Sequence, residues 1–142
     1  MPDTRPERPV FRNIHVTDIT SYRLPPAGIV SILHRISGFL LVLLLPFTIW
    51  LFDNSLTSET SFDAFRGAFL GGLWGLPAFV VKLLALALLW GFLQHLFAGL
   101  RHLWMDVTHE HSKEFGRVSA LVAIGLATAF TLVLGAKLFG LY

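Results

Sequence analysis

The sequence predicts an all-α integral membrane protein with three transmembrane helices, and three observations carry that prediction. Of its 142 residues 54% are hydrophobic and only 14% charged, and the mean hydropathy is +0.66. A soluble domain of this size does not have that balance. Three uncharged stretches, residues 36–52, 83–100 and 118–136, each approach the roughly 20 residues needed to cross a hydrocarbon core of about 30 Å. Basic residues gather at the ends of these stretches, where long side chains snorkel to the headgroups. The lipid bilayer is therefore a required partner. The net charge of +2 is explained by membrane topology and gives no nucleic-acid partner.

Each element follows in order. Residues 1–24 are polar, and Pro2, Pro6 and Pro9 interrupt any helix. They hold Arg5, Arg8, Arg12 and Arg23 against Asp3, Glu7 and Asp18. No apolar segment precedes a small-residue cleavage site, so this stretch does not read as a signal peptide. It is also too short and too acidic for a mitochondrial transit peptide, and a bacterial inner membrane is the expected location. Pro25 and Pro26 suit the first turn of a helix. The chain thus divides into an N-terminal segment, 1–26, and a single membrane-anchor domain, 27–142.

Helix one is expected over about 27–52, with Pro46 placed to kink its second half. Residues 53–75 begin rich in Ser and Thr and carry Asp53, Glu59 and Asp63 against Arg66 alone. They suit a solvated loop, with room for a short interfacial helix near 62–70. Helix two is expected over about 76–104, with Pro77 in its opening turn. Residues 106–117 form a second connection of mixed charge, and helix three spans about 118–141. Its small residues, Ala120, Ala123, Gly125, Ala127 and Ala129, permit close helix packing. Trp50, Trp74 and Trp104 fall near the expected interfaces as belt anchors.

Lysine and arginine set the orientation. The N-terminal segment has four, the second connection with its flank has three (Arg101, Lys113, Arg117), and the first loop has one. The N-terminus and second connection are expected in the cytoplasm and the C-terminus in the periplasm.

Cysteine is absent, which excludes disulfides, thiolate metal sites and a protein-held iron–sulfur cluster. Any redox chemistry then needs an organic or haem cofactor. His95 is the residue that raises this question, because it lies inside an uncharged membrane run. An ionisable side chain at that depth is costly and usually faces a bundle interior with a function. Gly91 and Gly99 flank it by one turn on the same face, leaving a shallow groove where a flat ring system could lie. Histidine is the usual axial ligand of haem iron. A neutral histidine bonded to a neighbouring helix is the plainer alternative.

His95 and His102 are seven residues apart, about 10.5 Å along a helix, so they cannot both ligate one iron from opposite faces. His102, with Arg101, is placed to meet a propionate or water near the surface. His102 and Asp106 share a face and could relay protons, although a surface charge serves as well for Asp106. His109 and His111 around Glu110 read as solvated loop residues.

In helix one, Ser31 and Arg35 are spaced i, i+4, with His34 beside Ser31 at i+3. A hydroxyl and a guanidinium suit a quinone carbonyl and the negative charge that grows on it during reduction. The basic pair His34 and Arg35 equally suits haem propionates, or simple snorkelling to the interface.

Taken together, Arg8-Pro9, then Ser31-Ile-Leu-His34-Arg35-Ile-Ser-Gly38, then His95-x3-Gly99-x-Arg101-His102-x3-Asp106 resembles the cytochrome b subunit of succinate dehydrogenase, the larger membrane anchor of complex II. The order and spacing agree over nearly the whole chain. The resemblance implies a helical bundle with a second three-helix anchor subunit and a haem b shared between them. It also implies a flavoprotein subunit and an iron–sulfur subunit docked on the cytoplasmic side, with ubiquinone as electron acceptor. By the family pattern His95 is the axial ligand from this chain, Ser31 and Arg35 match the quinone-site positions, and His34 lies near the propionates. Asp106 falls where protons are admitted. A haem-free structural anchor and the anchor of a quinol:fumarate reductase are the competing readings.

Overall fold

The computed structural model describes His15, Thr17, Asp18 and residues 22–142. The Arg8-Pro9 pair and the N-terminal prolines lie outside the described residues. The helices of the membrane region are α1 (Pro26–Leu43), α2 (Leu45–Leu56), α3 (Glu59–Leu70), α4 (Ala78–Thr108) and α5 (Lys113–Leu138). Of these, α1, α4 and α5 are long and apolar enough to cross a membrane. The protein is an all-α, multi-pass membrane protein.

Helix α1 starts where Pro25, in an extended conformation, precedes Pro26 in the first turn, a position that loses no intrahelical bond. The single helix expected over 27–52 is instead two. At Leu44 the backbone leaves the helical region (φ −88°, ψ 4°), and α2 restarts with Pro46 in its first turn. Proline at 46 has no N–H for the Val42 carbonyl, and its ring clashes with that oxygen. The Leu44 N–H still reaches Leu40 O at 2.9 Å and Thr48 N reaches Leu44 O at 2.9 Å, so the interruption is confined to a single turn. Past the expected end at 52, α2 gains polar turns in which Asn54 Nδ2 donates to Trp50 O and Thr57 Oγ1 to Asp53 O.

Helix α3 is longer than the expected interfacial turn because Ser58 and Ser61 form a reciprocal capping box. Ser61 N donates to Ser58 Oγ at 3.1 Å and Ser58 N to Ser61 Oγ at 2.9 Å. The helix folds back so that Ala68 packs with Phe47 and Val81. Trp50 and Trp74 meet edge to face at the same end, with centroids 5.3 Å apart.

Helix α4 runs four residues past its expected end and stops only where His109 turns left-handed (φ 52°). Ser112 then caps α5 by accepting from Phe115 N. The second connection shrinks to residues 109–112, so Asp106 lies on a helix and not in a loop. Polar composition marks the membrane surface here, whereas only the left-handed turn and the serine cap mark the helix ends.

The three spans meet in a layer of Val30, Ala98 and Ala120, all fully buried. Ala123 and Ala127 continue the contact face of α5. Gly125 and Ala129, also named as small packing residues, are exposed. They fall outside the i, i+3, i+7 spacing of the buried alanines and point to another side.

Candidate functional site

The close approach of α1 and α4 builds a histidine cluster. The His34 ring from α1 stacks on His95 from α4, with centroids 4.1 Å apart and planes 21° from parallel. It also meets His102 at 5.4 Å. The two-turn gap between His95 and His102 is thus bridged by a histidine from the neighbouring span.

One edge of the His95 ring is fixed. Its Nδ1 lies 3.2 Å from the His34 carbonyl oxygen and 3.3 Å from Ser37 Oγ. Ser37, fully buried, donates its own hydroxyl proton to that carbonyl at 2.8 Å. A carbonyl can only accept, so the hydrogen-bond network assigns the imidazole proton to Nδ1. The lone pair then sits on Nε2, which makes no hydrogen bond among the described residues. A tethered Nδ1–H and a free Nε2 are the arrangement of a metal-ligating histidine. Stacking by His34 covers a ring face and leaves the in-plane lone pair open.

The glycines act differently from the expected groove. A Cβ on Gly91 would meet Leu40 Cδ2 at 3.2 Å, and one on Gly99 would meet His34 Nε2 at 3.7 Å. Both therefore admit α1, whose side chains occupy the space beside them. The glycine against the His95 ring is Gly38, on α1, where a Cβ would stand 3.1 Å from His95 Cε1. Ser37 and Gly38 are the functional candidates that sequence reasoning missed. Ser37 is three residues from His34, and that spacing was the available signal.

Ser31 is half-buried on α1 and Arg35, one turn on, is exposed. Among the described residues Arg35 has no hydrogen bond or ion pair, so its guanidinium remains available. His102 is half-buried and Asp106 is exposed. No hydrogen bond joins these two, so the expected relay is not a direct contact.

Arg101 departs from its expected place beside His102. It is buried and turned to α5, where Nε donates to Ser119 Oγ at 3.0 Å and an Nη to Gly116 O at 3.3 Å. The Ser119 hydroxyl passes its own proton to Phe115 O. Arg101 therefore fastens two spans together.

His109 and His111 are exposed, with His111 Nδ1 at 2.9 Å from His109 O. Among the described residues no group of three or more His, Cys, Asp or Glu gathers to hold a metal ion. The Glu110 carboxylate accepts from Ser112 N at 3.1 Å. Its pKa is lowered by hydrogen bonding to Ser112 and less by the nearby His111.

Comparison with known proteins fits this geometry into a family. Residues 4–134 match the model of the succinate dehydrogenase/fumarate reductase transmembrane subunit. The succinate dehydrogenase cytochrome b556 subunit of Coxiella burnetii is 40% identical over 103 residues, covering 72% of this chain and 78% of the relative. The cytochrome b556 subunit of Paracoccus denitrificans is 33% identical, covering 72% of this chain and 69% of its own length. The cytochrome b560 subunit of Reclinomonas americana is 31% identical, covering 81% and 78% respectively. The chain belongs to the family of succinate dehydrogenase/fumarate reductase transmembrane subunits.

Proposed function

We propose that this chain is the haem-binding, quinone-site subunit that anchors a succinate:ubiquinone oxidoreductase to a bacterial inner membrane. The observation that carries the reading is the state of His95: Nδ1 is tethered to His34 O and Ser37 Oγ, and Nε2 has no partner among the described residues. These residues fit a haem b. His95 would ligate the iron, and His34, His102 and Arg35 would meet the propionates. When bound, the haem supplies a one-electron redox centre. This chain offers one suitably placed imidazole, so a second protein ligand to the iron would be supplied by a second three-helix anchor subunit. Exposed Ile32, Ile36 and Phe39 on α1 supply an apolar surface for that bundle.

Ubiquinone binds at Ser31 and Arg35. The Ser31 hydroxyl donates to a carbonyl oxygen, and the unpaired Arg35 guanidinium stabilises the negative charge that grows there. Asp106, exposed at the end of α4, is the point of proton uptake, with His102 one turn further in. Residues 1–26 are cytoplasmic, residues 27–142 form the anchor, and the C-terminus is periplasmic. The lysine and arginine distribution supports this orientation. The flavoprotein and iron–sulfur subunits dock on the cytoplasmic side. The succinate dehydrogenase names of the three relatives favour succinate oxidation over quinol:fumarate reduction.

Arg35→Ala tests the quinone site in the purified complex. Ubiquinone reduction should fall by about a hundredfold or more, the usual loss for one preorganised charge-stabilising donor. Succinate oxidation by a soluble dye should persist, whereas equal loss of both would assign Arg35 to assembly. The His95–His34 hydrogen bond also favours a second reading, in which the bond only packs α1 on α4 and no haem is held. The optical spectrum of the complex separates the two.

A further inference from the structure

Where α4 ends and α5 begins, a cavity of about 400 Å³ is lined by Arg101, His111, Lys113 and Arg117 together with Pro26 and Met105. Among the described residues no carboxylate lines it. Arg101 is only 9% exposed, and among the described residues its partners are a neutral hydroxyl and a neutral carbonyl. A guanidinium shielded this far from water without an anion is electrostatically incomplete.

Arg101 also lines a second cavity, about 530 Å³, that follows the α4–α5 seam. The rest of that wall is mostly apolar, including Phe97, Leu100, Trp104, Val122 and Leu126. From Phe115 to Leu126 the seam extends roughly 16 Å at the rise of an α-helix. One leaflet of a hydrocarbon core is about 15 Å deep. Arg101 is thus a wall residue of both the basic chamber and an apolar trough about one leaflet long.

We propose that this composite site holds an anionic phospholipid, its phosphate among Arg101, Lys113 and Arg117 and an acyl chain along the α4–α5 trough. The proposal rests on the membrane-anchor reading and needs neither haem nor quinone. Basic chambers between spans attract acidic headgroups in this way.

The test uses the whole complex, purified in detergent and stripped of lipid. Native mass spectrometry then follows titration with phosphatidylglycerol, phosphatidylcholine or inorganic phosphate. Phosphatidylglycerol should give a retained adduct. The double substitution Lys113→Ala with Arg117→Ala should weaken that adduct about thirtyfold, the factor for two basic residues at an anionic headgroup. Val122→Trp, which fills the trough without changing charge, should also remove it. Equal retention of the two lipids, or of phosphatidylglycerol by all three proteins, would overturn the proposal. So would inorganic phosphate displacing the lipid while Val122→Trp still binds it, since that describes a free-phosphate site. The cytochrome b band of the same samples reads the haem assignment separately.

Discussion

At the residue scale, the proposed haem site depends on how one imidazole is held. The His34 carbonyl and Ser37 hydroxyl together orient the His95 ring and fix its tautomer, so Nε2 is the basic nitrogen. Removing such an outer partner from a metal-ligating histidine typically costs ten- to a hundredfold in affinity. Because Ser37→Ala leaves the carbonyl in place, its effect should lie at the low end. Haem retention in the purified complex should weaken by about tenfold, with the axial ligation preserved in the electron paramagnetic resonance spectrum. A change of axial ligation in that spectrum would mean that Ser37 does more than orient the ring. His95 was legible from the sequence because its cost in a membrane is independent of its neighbours. Ser37 was not, because a serine in a helix is commonplace until a second helix puts a ring beside it.

At the scale of elements, the membrane helices were legible from uncharged runs, but their ends and bends were not. The sequence around Leu44 is uniformly apolar, and the interruption arises from a missing amide two residues later. Pro46→Ala restores a donor for the Val42 carbonyl. Hydrogen exchange at residues 44–47 should then slow by about fivefold, the factor for one net hydrogen bond of about 1 kcal/mol. Unchanged exchange would place the cause of the interruption in the packing of Phe47 against Ala68 and Val81. The far end of α4 was misjudged for the opposite reason: polar residues signalled a loop that the backbone does not form.

The short α4–α5 turn carries a pH dependence. Glu110 has a folded-state pKa below its ordinary value because the carboxylate is hydrogen-bonded to Ser112. A depressed carboxylate stabilises the turn above its unfolded pKa, and that stabilisation is lost as pH falls through the folded value. The Ser112 amide resonance should therefore titrate with a midpoint below the ordinary glutamate range. A midpoint within that range would remove Glu110 from the cap.

At the scale of the whole molecule, α1, α4 and α5 form a small bundle whose centre is made of side chains as small as alanine. That lets α1 approach α4 closely enough for His34 to stack on His95. The groove expected beside Gly91 and Gly99 was a helix-packing surface, because a glycine that reads as space in one helix is occupied once its neighbour arrives. The sequence pattern carried the residue types and their depth, while the pairing of His34 with His95 needed the fold. The large exposed apolar faces on α1 and α5 suit contact with lipid or with the second anchor subunit proposed above.

The most direct measurement is a reduced-minus-oxidised optical spectrum of the complex purified through this chain, recorded for the wild type and for His95→Ala. The wild type should show a cytochrome b α-band, and His95→Ala should lose or strongly perturb it while the complex still assembles. A wild-type complex without the band, or an assembled His95→Ala complex with an unaltered one, would contradict the assignment of His95 as a haem ligand.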